Sequence, residues 1–98
     1  MMRTYVSLFN WTGQGAKNAK DTLKRAADFR DLVERLGGKL REHLYTMGEC
    51  DVVAVMEFPD DESEAAAMLQ LATLGNVRTK TMRAFTNEEA ATIIKRLG

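Results

Sequence analysis

The stretch Tyr45-Thr46-Met47-Gly48-Glu49-Cys50-Asp51-Val52-Val53 holds the densest set of chemically capable side chains in the sequence. Glu49 and Asp51 are two carboxylates within three positions, on either side of a thiol. Closely spaced acids can divide into a proton donor and a proton acceptor, the arrangement that acid–base catalysis uses. They can also hold a cation. The plainer reading is a turn, in which Gly48 supplies a positive φ and Asp51 accepts backbone hydrogen bonds. The turn is favoured. A metal site would need ligands from elsewhere, and His43 is the only histidine, so no metal is expected.

His43 and Asp51 are the candidates for proton transfer. A lone histidine in a strand is more often a polar or interface residue. Asn10-Trp11, at the end of an apolar segment, is a second polar–aromatic pair that can line a pocket. Its plain alternative is a packed tryptophan beside an asparagine that caps strand backbone. Gly13-Gln14-Gly15 resembles the start of a phosphate-binding loop, but position 18 is Asn18 and no Lys-Ser/Thr pair follows, so it reads as an ordinary loop. The acids that flank Cys50 disfavour a reactive thiolate. Arg78, Lys80 and Arg83 can bind an anion, or can simply keep an edge strand from pairing with other chains. The methionines read as core filler.

These residues sit in a chain of 98 amino acids, the size of one domain spanning 1–98. Hydrophobic residues make up 45% and charged residues 29%, ordinary globular usage. Lys plus Arg equals Asp plus Glu at 14 each, so no global charge draws the chain to phosphates, and a nucleic-acid partner is not expected. The single Cys rules out an internal disulfide and fits a reducing compartment. No signal-peptide pattern opens the sequence, and no apolar run approaches the roughly 18 residues of a membrane span. The expectation is a soluble, cytoplasmic protein without cofactors.

Thr4 to Trp11 is rich in β-formers and predicts a first strand. A helical segment runs to about Leu36, with Phe29, Leu32, Val33 and Leu36 on one stripe and Asp21 as the cap of an internal restart. Gly37-Gly38 ends it. Lys39 to Met47 and Asp51 to Phe58 predict two more strands, the latter apolar almost throughout and therefore central. Pro59-Asp60-Asp61-Glu62-Ser63 starts a helix whose stripe is Ala65, Met68, Leu69 and Ala72. After Gly75-Asn76, Val77 to Phe85 predicts a fourth strand. Thr86-Asn87-Glu88-Glu89 has capping-box spacing, and Ala90, Ile93, Ile94 and Leu97 form the stripe of a last helix.

The order β-α-β-β-α-β-α is the split βαβ pattern of an α+β, ferredoxin-like domain with an added C-terminal helix. Right-handed crossovers put both main helices on one face of the four-stranded antiparallel sheet and leave the other face bare. With Val6 and Leu8 turned to the helices, strict alternation sends Tyr5, Phe9 and Trp11 to the bare face. His43, Tyr45 and Met47 join them from the second strand. Thr79, Thr81 and Arg83 join them from the fourth. Several hundred square ångströms of such surface, at roughly 25 cal/mol per Å², would forgo several kcal/mol if left wet. A second copy packed face to face is the simplest cover. Tyr5, Phe9, Trp11, Met47, Thr79 and Thr81 are the expected interface.

The run Thr46-Met47-Gly48-Glu49-Cys50-Asp51-Val52-Val53 resembles the signature of the GYD-domain family. So do Tyr5-Val6, Asn10-Trp11-Thr12 with Gly15, Gly37-Gly38-Lys39-Leu40, Gly75-Asn76-Val77-Arg78-Thr79 and Arg83-Ala84-Phe85-Thr86, in order and over nearly the whole chain. The resemblance implies a small bacterial or archaeal domain of the dimeric α/β-barrel type, and no particular activity. Its Gly and Asp are Gly48 and Asp51, with Cys50 where the family usually has an aromatic residue. A tyrosine hydroxyl at that position is therefore lost here.

The sequence thus predicts a homo-oligomeric small-molecule-binding module, with Asn10, Trp11, Tyr45, Glu49, Asp51 and Arg83 near a subunit junction. The alternative, by analogy with small α/β-barrel oxygenases, is a cofactor-independent monooxygenase or isomerase. In it Asn10, Trp11 and Tyr45 would orient a flat substrate. RNA binding on the open sheet is disfavoured by the neutral charge and by the lack of an RNP1-like pattern.

Overall fold

A computed structural model describes all 98 residues. The elements are β1 (Arg3–Trp11), α1 (Gly13–Lys17), a 3-10 turn (Ala19–Asp21), α2 (Thr22–Arg35), β2 (Lys39–Tyr45), β3 (Val52–Phe58), α3 (Asp61–Leu74), β4 (Val77–Ala84) and α4 (Asn87–Ile94). One antiparallel sheet has the order β2-β3-β1-β4. This is the α+β ferredoxin-like architecture, and β3 is an interior strand of it. No helix is long and apolar enough to cross a membrane.

Local chemistry sets the helix ends. Asp60 caps α3 by accepting the Ser63 N–H at 2.8 Å, and Gly75 closes the helix in the left-handed conformation at φ 75°. Thr86 and Glu89 form the full capping box of α4, with reciprocal bonds of 3.1 and 3.0 Å. The helical segment after β1 does restart, at Thr22, but Asp21 makes no side-chain cap. There the Thr22 hydroxyl donates to the Ala19 carbonyl instead.

The core lies between the sheet and α2 and α3. Phe58, Met56, Ala54 and Val52 of β3 meet Tyr5 and Phe9 of β1, Phe29, Leu32 and Val33 of α2, and Ala67 and Leu71 of α3. This reverses the faces expected from sequence. Tyr5 and Phe9, each 4% exposed, point to the helices, and Val6 and Leu8 point to the bare face. Trp11 shares the parity of Phe9. Thr79 and Thr81 stand opposite Phe9 and Ser7 and share their face. Met47 lies in the exposed turn after β2 and belongs to neither face.

The reversal has a physical cause. Both parities of β1 are apolar, so alternation defines two faces without saying which one is covered. The larger aromatic side chains gain more from burial and take the helix side. In β2 a register shift between Leu40 and Glu42 moves Leu40 and Leu44 to opposite faces. Leu40 is buried opposite Met56, whereas Leu44 is exposed opposite Val53. His43 and Tyr45, opposite Ala54 and Val52, therefore face the helices and not the bare side.

The bare face is aliphatic at its centre, with Lys80, Arg78, Glu42 and Glu57 on the same face around it. Val6, Leu8, Val53 and Val55 are half-exposed at its centre, and Leu44 and Met82 flank them at 54% and 50%. α3 is also rotated from its expected stripe. It buries Glu64, Ala67 and Leu71 and leaves Leu69 exposed, and Asp61 at its first turn is tied to the Tyr5 hydroxyl and to Arg3. No residue of α4 is buried, and Ile94 and Leu97 are exposed. The radius of gyration, 14.6 Å, exceeds the about 13 Å of a compact chain of this size.

Candidate ligand-binding cleft

Four of the sequence's marked residues meet at one end of the sheet, where β1 and β2 finish and β3 and β4 begin: Trp11, His43, Tyr45 and Asp51. The Gly48 turn is built for this. Gly48 has φ 126°, a value L residues avoid, and it lets the chain reverse between β2 and β3. Asp51 then donates its N–H to the Phe9 carbonyl at 2.9 Å. Its carboxylate accepts the Trp11 N–H at 2.9 Å. Thr46 closes the turn through its hydroxyl on the Cys50 carbonyl at 2.6 Å. Asp51 therefore holds backbone in place, and Glu49 stays exposed to solvent.

A second lock sits beside the first. Thr12 donates its N–H to the Asn76 carbonyl at 3.0 Å and its hydroxyl to the Gly75 carbonyl at 2.6 Å. Gln14 bonds the Leu74 carbonyl and the Asn76 side chain, each at 2.9 Å. Gly15 is part of α1 and not of a loop. It lies so close to Asn76 that an added Cβ would stand 2.9 Å from that residue's carbonyl carbon. The Gly13-Gln14-Gly15 segment is thus a packing contact between α1 and the start of β4.

Trp11 held in this way forms one wall of a cleft of about 410 Å³ between the sheet end and α2 and α3. The volume is in the range of small-molecule sites. Phe9, Phe29, His43 and Tyr45 continue the wall as a chain of rings. Phe9 and Phe29 meet edge to face at 5.5 Å, Phe29 and His43 lie 6.3 Å apart, and His43 and Tyr45 meet edge to face at 5.2 Å. Burial, and then the charge of Arg30, holds the His43 imidazole below its usual pKa, so it is neutral at physiological pH. Arg25, Asp28 and Arg35 of α2 complete the lining on the charged side.

Of the six predicted ligand residues only Trp11 and Tyr45 line the cleft; Glu49 and Asp51 stay in the turn, and the other two lie elsewhere. Asn10 has the parity of the bare face, opposite Arg78. Arg83 pairs with Tyr5, six positions along β1 from Trp11, about 20 Å at roughly 3.3 Å per residue. Arg83 is already engaged there. It stacks on Phe85 at 4.6 Å and Tyr5 at 5.7 Å, donates to the Thr4 carbonyl at 3.3 Å and pairs with Glu89 at 3.5 Å. Burial and the bond to Asp61 push the Tyr5 hydroxyl up to about 12. No group of three or more His, Cys, Asp or Glu side chains is close enough together to hold a metal ion.

Sequence reasoning took Phe29 for core alone and passed over Arg25 and Arg35. Their signal was present. Arg25, Asp28, Phe29, Leu32 and Arg35 recur every three or four residues, which puts them on one stripe of α2 with arginines at both ends.

The GYD domain profile matches residues 5–94 of the chain. A protein of Thermus thermophilus, named "Glutamine synthetase and cystathionine beta-lyase binding protein", is 32% identical over 84 residues. The aligned region covers 85% of this chain and 88% of that relative.

Proposed function

For this chain, which belongs to the GYD domain family, we propose a homo-oligomeric binding module that takes a small molecule in the cleft beside Trp11 and joins its copies through the aliphatic sheet face. One observation carries the reading: a ring-lined concavity whose acid–base groups are not assembled for turnover. Asp51 is bound to backbone, Glu49 lies outside, and His43 packs between Phe29 and Tyr45 with no acid paired to it. Such a surface gains by burying a flat apolar ligand. Turnover would need a proton carrier, and His43 is the group best placed for one. Oxygen uptake by the native chain that is lost in His43→Gln would mark a monooxygenase.

The test is ligand-observed NMR with a panel of small planar molecules. Ala26 lines the same cleft, so Ala26→Phe fills it. Binding by the native chain that is lost in a folded Ala26→Phe supports the reading. No binding by any member at millimolar concentration removes it.

A second reading is a protein adaptor. The Thermus relative is named for binding two enzymes, and the end of α4 and the residues after it present Ile93, Ile94 and Leu97 to solvent at 43%, 61% and 72%. Sedimentation of the chain with purified glutamine synthetase or cystathionine beta-lyase of its source organism tests it. Co-sedimentation that Ile94→Asp abolishes supports an adaptor, and independent boundaries exclude one for those enzymes.

A further inference from the structure

We infer that the cleft selects planar aromatic carboxylates, with Arg35 as the residue that recognises the acid; this deepens, and rests on, the binding-module reading above. Trp11 pairs with no other ring, and Tyr45 meets only His43, edge to face. Trp11 and Tyr45 can therefore stack on a planar guest, a geometry rings favour. Shape alone would admit any flat apolar molecule. Charge narrows the class.

Two guanidiniums and one carboxylate line the cleft. The carboxylate, Asp28, already pairs with Lys24 at 3.1 Å, one helical turn back. Arg25 spends hydrogen bonds on the carbonyls of Asn18 at 2.8 Å and Gly15 at 3.2 Å, and forms no ion pair. Arg35 makes no ion pair and no side-chain hydrogen bond within the chain. The cleft lining thus carries two guanidiniums to one carboxylate beside an apolar wall, with a planar donor fork free to bind a carboxylate through two parallel bonds. The neutral imidazole of His43 adds no competing cation among the rings. A guest with a flat ring at one end and a carboxylate at the other meets both halves at once. A planar cation would meet the wrong charge.

Trp11 is the only tryptophan, so its indole N–H gives a single reporter in 1H–15N spectra. The probes are 2-naphthoate and its uncharged analogue 2-naphthamide, titrated into the full chain and into Arg35→Gln. The expected result is a shift of the Trp11 indole signal by both, with 2-naphthoate at least tenfold tighter. The gap should narrow in Arg35→Gln and at high salt. Equal affinity of the two probes in the native chain overturns the acid preference and leaves the cleft reading intact. An unchanged ratio in a folded Arg35→Gln overturns the role of Arg35. No shift of the Trp11 signal by either probe at millimolar concentration overturns this inference and counts against the cleft itself.

Discussion

The carboxylate of Asp51 accepts the backbone N–H of Trp11 at 2.9 Å, so the turn between β2 and β3 fixes where β1 ends and which way its tryptophan faces. The same residue gives its own N–H to the Phe9 carbonyl. A group that reads as an acid catalyst in sequence is thus a clamp on the cleft wall. Asp51→Ala leaves a partly buried donor without its charged acceptor and should cost about 1.5–3 kcal/mol. Asp51→Asn keeps an acceptor oxygen and should cost clearly less. Urea unfolding of both variants measures this. Equal stability of Asp51→Ala and the native chain would refute the clamp.

Gly15 and Gly13 lie in the same short helix and should respond in opposite ways. A Cβ at Gly15 would meet the Asn76 carbonyl inside 3.0 Å, whereas at Gly13 nothing lies within 4 Å. Gly15→Ala must push α1 off β4, and overpacking of this kind costs about 1–3 kcal/mol. Gly13→Ala removes only unfolded-chain freedom and should stabilise by up to about 1 kcal/mol. Thermal melts of the pair decide it. Matching melting temperatures would mean that the close approach is not there.

Element order and helix ends were legible because each rests on local chemistry. Asp60, Gly75, Thr86 with Glu89, and Gly37 act within a few residues of themselves. The covered face of the sheet was not legible. Tyr5, Ser7 and Phe9 alternate with Val6 and Leu8, and a pattern apolar on both parities carries no sign. The shift after Leu40 inverted β2 as well, and no residue type near it announces a bulge. At the site, Trp11, Tyr45, His43 and Asp51 could be picked out singly. Their meeting with Phe29 and Arg35 depends on how α2 lies across the sheet, which no short segment encodes. Arg83 failed for the complementary reason: its type suits a ligand, but its position places it at the far end of the same strand.

The reversed faces change which substitutions should break the assembly. Leu8 stands at the centre of the bare sheet, between Val53 and Lys80 on the neighbouring strands. Covering Leu8, Val6, Val53 and Val55 recovers for each a part of the roughly 1.5–3 kcal/mol of full burial. Leu8→Asp should give folded monomers, with far-UV circular dichroism intact. Phe9→Asp, 4% exposed on the other face, should instead unfold the chain by burying an unpaired charge. Light scattering after size exclusion reads both. A native chain that stays monomeric, or a Leu8→Asp assembly of native size, would rule out this face as the interface.

Glu64 supplies a dependence on pH. It is 9% exposed, one carboxylate oxygen has no partner, and it lies under Thr81 and near Asp61. Burial raises its pKa above the ordinary 4.5, Asp61 adds to the rise, and the Thr81 hydroxyl offsets part of it. The sign follows from proton counting. Between its unfolded and folded pKa values the native state holds a proton that the unfolded chain has released. Its contribution is therefore fully present below about pH 4.5 and is lost as pH rises through the folded value. Asp61 works the other way, since its bonds to Tyr5 and Arg3 lower its pKa and its contribution is lost as pH falls. Only the difference between native and Glu64→Gln isolates Glu64. Glu64→Gln should lose ground to the native chain at acid pH and gain on it from neutral pH upward, because a neutral amide carries no buried charge. Chemical denaturation across pH 4 to 8 measures that difference. A gap that stays constant with pH would mean that Glu64 ionises as freely in the folded chain as in the unfolded one.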